Sequence, residues 1–169
     1  MKKIIPILLC LLLVTALALS VSAEGSSATI TPSATTLERG GTFTVEVELA
    51  DVKTVNLCTV VLSFDTNVFE FVDGTCAFAN TAYSKVEMTD KGVAGTMLLG
   101  SMQDVSGKVF IVNFKVKENA ALGAYDITPT ISVSGSAVTE ISAEKAAINV
   151  VCVHTYGEWT KVDEDKHQK

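Results

Sequence analysis

Apolar and polar residues alternate regularly in two segments of the chain, residues 42–50 and residues 109–117. In an extended strand, successive side chains point to opposite faces, so a period of two predicts a half-buried antiparallel strand. The core-facing residues predicted on this basis are Phe43, Val45, Val47 and Leu49 in the first segment, and Phe110, Val112, Phe114 and Val116 in the second. Thr44, Glu46 and Glu48, and then Asn113, Lys115 and Lys117, are predicted to face outward.

Residues 55–64 form a different kind of strand because both of its faces are largely apolar. One face carries Cys58, Val60, Leu62 and Phe64, and the other carries Leu57, Thr59, Val61 and Ser63. Such a strand is either covered on both sides or presents an apolar surface to a partner. We take Leu57, Thr59 and Val61, extended by strands around residues 93–99, as the candidate interaction surface. The alternative is that a local segment, such as the connection 73–91, covers them.

Weaker strand patterns occur at residues 68–72, 83–88, 93–100, 125–133 and 146–151, with Gly, Asp and Asn turns between them. One such turn is Asp65-Thr66-Asn67. No segment shows the period of an amphipathic helix. Many short strands at close spacing predict an all-β sandwich or barrel. Pro32 and Pro129 are predicted to lie at sheet edges or strand ends, where a missing N–H costs little.

The N-terminus has the features of a signal peptide. Lys2 and Lys3 precede an apolar stretch at residues 4–21, and Val21 and Ala23 supply small residues at the positions that precede cleavage. Residues 1–23 are therefore predicted to be removed on export, which makes the protein secreted or associated with the cell surface. A retained membrane anchor is the alternative, although Pro6 interrupts the stretch. Residues 24–151 then form one domain, and residues 152–169 form a charged tail or the start of a second module.

Charge and cysteine content narrow the classes of partner. The formal net charge of −6 opposes binding to nucleic acid or to an anionic membrane, since no basic stripe is present. Three cysteines lie beyond the predicted signal peptide, namely Cys58, Cys76 and Cys152. An odd and sparse set does not describe a disulfide scaffold. Cys58, within an apolar strand, is predicted to be a small buried hydrophobic residue.

Five segments, in register, resemble cohesin modules. Residues 55–70 resemble the third strand of a cohesin and its following aromatic-Asp turn, with Thr66 where the family usually has proline. Residues 39–45 resemble the glycine-containing entry to the second strand, and residues 107–117 resemble a late strand. Residues 121–127 resemble the turn that follows, and residues 147–151 the closing strand. The resemblance covers about residues 28–151 and implies a nine-stranded jelly-roll β-sandwich.

The resemblance also implies a function and a site. Cohesins use a flat sheet face to bind the helices of a dockerin, often on a polysaccharide-degrading enzyme, and any calcium belongs to the dockerin. The matching positions here are Leu57, Thr59 and Val61. Dockerin-binding cohesins often carry polar residues at such positions. Leu57 departs from that pattern, which implies a different partner or a more hydrophobic contact.

Other functions remain as alternatives. Direct carbohydrate or cell-wall binding is possible for a β-sandwich, but residues 24–151 hold no tryptophan and only Tyr83 and Tyr125 as tyrosines. A structural spacer in a surface protein is a third possibility. An enzyme is disfavoured, since both histidines lie in the tail and adjacent outward carboxylates such as Glu46 and Glu48 are typical of a solvated strand face.

A metal site is a weaker hypothesis for the tail. Cys152, His154 and His167 are residue types that bind zinc, but a structural zinc site needs four ligands and no fourth is evident. The sequence therefore predicts no cofactor for this chain, with these three residues as the only candidates.

Overall fold

A computed structural model describes residues 25–152 of the chain, and nine β-strands account for the regular structure of that range. The predicted signal peptide lies outside it, as does the predicted tail except Cys152. Within residues 25–152 no helix is long and apolar enough to cross a membrane. The strands are β1 (Ser27–Pro32), β2 (Thr36–Glu38), β3 (Thr42–Ser63), β4 (Phe69–Cys76), β5 (Thr81–Thr89), β6 (Gly92–Val116), β7 (Gly123–Gly135), β8 (Val138–Ile141) and β9 (Ala146–Val151).

Two long strands, β3 and β6, pair antiparallel along most of their length. The ladder runs from Thr42 opposite Lys115 to Leu62 opposite Val93. The four segments predicted as separate strands at residues 42–50, 55–64, 93–100 and 109–117 are thus the two ends of β3 and of β6. Bulges interrupt the ladder where β3 passes through residues 48–57.

The bend in β3 changes which residues face the core. Buried positions are odd-numbered up to Leu49 and even-numbered from Cys58 to Leu62. Asp51 and Thr54 lie in this bend with φ values of 56° and 54°, which L-residues rarely adopt and a β-branched residue least of all. An extra residue in a bulge reverses the direction of all side chains beyond it, so both halves of β3 bury their apolar face.

The halves of β3 and β6 belong to two layers. In the front layer, residues 55–63 of β3 lie between residues 93–98 of β6 and residues 128–135 of β7, with β5 and β8 at the two edges. In the back layer, residues 42–50 of β3 lie between β1 and residues 107–115 of β6, and β4 follows β6.

The remaining strands close the jelly roll. β9 pairs parallel with β2 and antiparallel with residues 123–127 of β7. In the connection between β1 and β2, Ser33 donates its backbone N–H to the Thr44 carbonyl at 2.8 Å. This hydrogen bond joins the connection to β3. The prediction of an all-β, nine-stranded jelly-roll β-sandwich is confirmed.

The core lies between the two layers. All eight residues predicted to face the core in the two alternating segments are buried. Phe43, Phe69 and Phe114 form an aromatic cluster, in which the Phe43 ring lies 5.5 Å from each of the other two ring centroids. The front layer contributes Gly95, where a Cβ atom would lie 2.9 Å from Cδ1 of Phe110 in the back layer. The layers are therefore close-packed at this point.

The predicted turn and the proline positions agree with the structure. Asp65 accepts backbone hydrogen bonds from Val68 and Phe69 through its carbonyl, and its Oδ1 accepts the N–H of Asn67 at 2.8 Å. Pro32 is the last residue of β1. Pro129 lies within β7 opposite Leu62 of β3, at a point where β7 has left β9 and has not yet met β8, so only one side of β7 has a partner strand there.

The close approach at Gly95 generates a stability prediction. Gly95→Ala is expected to lower the free energy of unfolding by about 1–3 kcal/mol, because the added Cβ overpacks the layer interface against Phe110. Gly100→Ala is the matched control in the same strand, since no atom lies within 4 Å of its added Cβ. The control should be neutral or stabilising by up to about 1 kcal/mol. Chemical denaturation measures both, and equal effects would contradict the packing described.

Burial of Cys58 generates a second prediction. Its side chain is 0% exposed, as predicted for a small buried hydrophobic residue, and burial, together with nearby Cys76, raises the pKa of its thiol to about 12. Because the thiolate is the reactive species, Cys58 should resist iodoacetamide at pH 8.5 in the folded protein and react after unfolding in urea. Peptide mass spectrometry locates the label. Modification of Cys58 in the native state at the rate of a free thiol would show that this face of β3 is open.

Candidate partner-binding face

The predicted site residues Leu57, Thr59 and Val61 lie together on the outward side of β3. All three are partly exposed, while Cys58, Val60 and Leu62, which alternate with them, are buried. Residues 73–91 do not cover them, because β5 lies beside β6 in the same layer and extends the surface. We call the outward side of the front layer the front face.

Cross-strand register places a row of mostly apolar residues across the front face, interrupted by Ser134 of β7. Leu57 is opposite Leu98 of β6 and Ser134 of β7; beyond these lie Tyr83 of β5 and Val138 of β8. Tyr83, Leu98 and Val138 are 52%, 40% and 72% exposed. We call Val138, Leu57, Leu98 and Tyr83 the apolar row. Exposed apolar side chains gathered in one line are typical of an interaction surface, whereas scattered ones are not.

A row of hydroxyl groups lies beside the apolar row. Thr59 is opposite Thr96 of β6 and Ser132 of β7. Lys85 and Glu140 continue this row on the two edge strands. The three hydroxyl groups form no hydrogen bond with any other residue in the range 25–152. They are therefore free to donate to, or accept from, a bound partner.

The charges of the front face lie at its edges. On β5, Lys85 Nζ lies 2.6 Å from Glu87 Oε2, and this hydrogen bond raises the pKa of Lys85. On β8, Glu140 is exposed and forms no ion pair with any of the described residues. The β5 edge thus carries a neutralised pair, and the β8 edge carries a lone carboxylate.

The outward side of the back layer has a different chemistry. Thr44 Oγ1 donates to Asn113 Oδ1 at 2.8 Å, and Asn113 Nδ2 donates to Asp73 Oδ1 at 2.6 Å. Lys108 Nζ lies 2.6 Å from Glu46 Oε2. These polar groups already have partners within the sheet, so they have less hydrogen-bonding capacity to offer a bound protein. On the front face, the hydroxyl groups of Thr59, Thr96 and Ser132 have no such partners among residues 25–152.

Part of this face is not evident from the sequence. The pattern of β3 predicts Leu57, Thr59 and Val61 and indicates the strand that holds Leu98, but it does not single out Leu98, Tyr83 or Val138. β8 is only four residues long, too short for a clear alternating pattern. Which residues of different strands lie side by side depends on cross-strand register, and the pattern of a single strand does not reveal that register. Alternation in the weak pattern at residues 83–88 could have flagged Tyr83 alone.

The described residues offer little chemistry beyond binding. No cluster of three or more metal-ligating side chains occurs within residues 25–152. Of the zinc candidates, Cys152 is exposed at the end of the described range, and His154 and His167 lie outside it. An apolar hollow of about 360 Å³ lies at one end of the sandwich between Phe64, Phe71 and Met88, away from the three predicted residues.

Comparisons with known proteins identify the family. A model of the cohesin domain matches residues 27–150. The seventh type I cohesin of ScaB from Pseudobacteroides cellulosolvens is 22% identical with a TM-score of 0.59, over 79% of this chain and 98% of that one. The sixth cohesin of scaffoldin B from Acetivibrio cellulolyticus, solved in complex with a Cel5 dockerin mutant, is 16% identical with a TM-score of 0.58, over 74% and 99%.

The fold also occurs in a cohesin module of a glycoside hydrolase. A cohesin module from a family 33 glycoside hydrolase of Clostridium perfringens is 14% identical with a TM-score of 0.59, over 75% of this chain and 96% of that one. A search of curated proteins gave no match. Because the family model spans most of the chain and solved cohesins share its fold, this protein belongs to the cohesin family.

Proposed function

We propose that this protein is a non-catalytic binding module that docks a dockerin-bearing protein on its front face. The observation that carries the proposal is the front face itself: a sheet face with an apolar row and three unpartnered hydroxyl groups, in a cohesin. Cohesins of the same fold from Acetivibrio cellulolyticus and Clostridium thermocellum have been solved in complex with dockerins.

The energetics of the face suit docking of a folded partner. A standard interface buries roughly 800 Å² on each side, and its central residues carry most of the affinity. In the direction across the strands Leu57 is central, with two strands on either side of β3 in the front layer. Its burial together with Leu98 removes apolar surface from water, and Thr59, Thr96 and Ser132 supply directional hydrogen bonds beside it.

Export and biological setting complete the proposal. The apolar segment 4–21 followed by Val21-Ser22-Ala23 supports secretion, with the protein outside the cell or at its surface. A polysaccharide-degrading enzyme is the proposed cargo. Any calcium is proposed to belong to the dockerin, as the resemblance to cohesins implies.

Direct glycan binding is less well supported. Sugar-binding platforms stack several exposed aromatic rings against the faces of pyranose rings. Among the described residues, Tyr83 is the one aromatic side chain in the set of exposed large hydrophobic residues. A single ring at the edge strand does not form a platform, whereas the apolar row suits a protein partner.

Introducing a charge at an apolar position of the front face tests the docking site. Leu57→Asp is expected to weaken dockerin binding by at least about 2 kcal/mol, roughly 30-fold, because the complex would bury an unpaired carboxylate. Val72→Asp is the matched control, since Val72 is 52% exposed on β4 in the back layer. Isothermal titration calorimetry against dockerin modules from the same organism gives the affinities. A folded Leu57→Asp protein with normal affinity would place the site elsewhere.

Calcium dependence provides a separate test. EDTA should abolish binding while leaving the thermal unfolding midpoint of this protein alone unchanged, because the metal belongs to the partner. Differential scanning calorimetry of the isolated protein, with calcium and with EDTA, measures whether its unfolding midpoint changes. If every dockerin fails to bind the folded protein, the docking proposal is wrong and a glycan-binding or spacer role takes its place.

A further inference from the structure

We infer that Asp104 of β6 is a positioning residue for the front face, because it holds Thr54 of β3 in the left-handed conformation on which the bend depends. Leu57, the first residue of the candidate surface on β3, lies three residues beyond Thr54. Asp104 therefore acts on this surface through the backbone of β3. The inference concerns the shape of the front face and does not depend on the docking of any partner.

The bend in β3 contains two left-handed residues whose backbone N–H groups are bound by side chains of β6. Asp51 and Thr54 have φ values of 56° and 54°. The Asp51 N–H donates to Ser106 Oγ at 3.0 Å, and the Thr54 N–H donates to Asp104 Oδ1 at 3.1 Å. The register between β3 and β6 shifts along this stretch, so two side chains of β6 take the place of backbone acceptors.

Of these two residues, Thr54 is the one that needs to be held by its surroundings. Aspartate is enriched among left-handed residues, whereas a β-branched residue is an outlier there because its side chain crowds the neighbouring carbonyl. Such a conformation persists only where the surrounding structure constrains it. Asp104 supplies part of that constraint, since a carboxylate accepts a stronger hydrogen bond from an N–H group than an uncharged acceptor does.

Lys53 orients the Asp104 carboxylate towards Thr54. Lys53 Nζ lies 3.1 Å from Asp104 Oδ2, which leaves Oδ1 for the Thr54 N–H. The hydrogen bond from the Thr54 N–H, and then the one from Lys53, lower the pKa of Asp104, so the acceptor is charged at neutral pH. Because the ion pair with Lys53 is exposed, we expect it to orient the carboxylate and to add little stability of its own.

The carbonyl of Thr54 is constrained by β7. A Cβ atom at Gly135 would collide with the Thr54 carbonyl oxygen, so the two backbones are in close contact. Thr54 is thus held at its N–H by β6 and at its carbonyl by β7. The direction of the side chains beyond the bend depends on this conformation, since a change of one residue in a bulge turns outward side chains inward.

Hydrogen exchange along β3, measured by NMR on the full chain, tests the inference. The readout is the exchange rate of amides 57–61 in the front half divided by that of amides 43–47 in the back half. Asp104→Ala should raise this ratio about 10-fold, because Thr54 borders the front half, while Asp51, still bound by Ser106, borders the back half. A loss of global stability would instead accelerate exchange in both halves together.

Three further variants separate the hydrogen bond from the charge. Asp104→Asn keeps an oxygen acceptor for the Thr54 N–H, and Lys53→Met removes only the ion pair, so each should change the ratio less than about 3-fold. Asp126→Ala is the matched control for loss of an exposed aspartate. Asp126 forms an ion pair with Lys145 at 2.6 Å but accepts no backbone N–H among residues 25–152, so the ratio should stay at the native value.

Rescue by glycine distinguishes positioning from the simple loss of a hydrogen bond. Glycine adopts positive φ values without crowding, so Thr54→Gly should keep the bend in place even without Asp104. Asp104→Ala combined with Thr54→Gly should therefore return the exchange ratio to within about 3-fold of the native value. Chemical denaturation should still show a lowered free energy of unfolding for this double variant relative to Thr54→Gly, because the hydrogen bond remains absent.

Each outcome supports or overturns the inference. A native exchange ratio in Asp104→Ala, or equal acceleration of both halves, would show that Asp104 does not position the front half. An equally raised ratio in Asp104→Asn would assign the effect to charge, and a ratio that Thr54→Gly fails to restore would assign it to something other than the left-handed conformation. Either result overturns the inference.

A variant that does not fold still gives a result. If Asp104→Ala is unfolded, the double variant with Thr54→Gly should fold and show a near-native exchange ratio, and an unfolded double variant would contradict the inference. None of these measurements involves a dockerin, so the docking proposal can fail while this inference stands, and the reverse is equally possible.

Discussion

The antiparallel ladder between β3 and β6 is the interaction on which the rest of the fold depends. Both strands run through both layers, so each layer is assembled on one half of the same pair. β1 and β4 attach to the back half, and β5 and β7 attach to the front half. The front face is the outward side of this ladder, which means that its geometry is set by the most extensively paired element of the molecule rather than by loops.

Local pattern predicted the faces of the strands but not how the strands combine. Alternation at residues 42–50 and the two-sided apolar character of residues 55–63 identified the buried and outward residues of β3, because side-chain direction is a property of one strand. The continuity of β3 through its bend was not predictable, since it depends on Asp51 and Thr54 adopting positive φ values that their residue types disfavour. For that reason, the sequence predicted two separate strands where the structure has one.

The candidate site shows the same division. Leu57, Thr59 and Val61 could be found from the sequence because they share one strand. Leu98, Tyr83 and Val138 join them only through the pairing of β5, β6, β7 and β8, and that register is set by non-local contacts. The sequence also could not predict that polar side chains of the back layer are paired with one another. The hydrogen bonds of Asn113 with Thr44 and Asp73 join three strands, so they too depend on cross-strand register.

The ladder between β3 and β6 also bears on how the chain reaches this fold. Leu62 and Val93 are the closest pair of the ladder in sequence, and the separation between partners widens steadily towards Thr42 and Lys115. Closing the shorter loop costs less chain entropy, so the ladder favours nucleation in the front layer and growth towards the back layer. β7 and β9 join from the C-terminal side of the ladder, so the chain must be almost complete before the sandwich closes. A topology dominated by such distant pairings folds slowly, because the chain loses entropy before the distant contacts form.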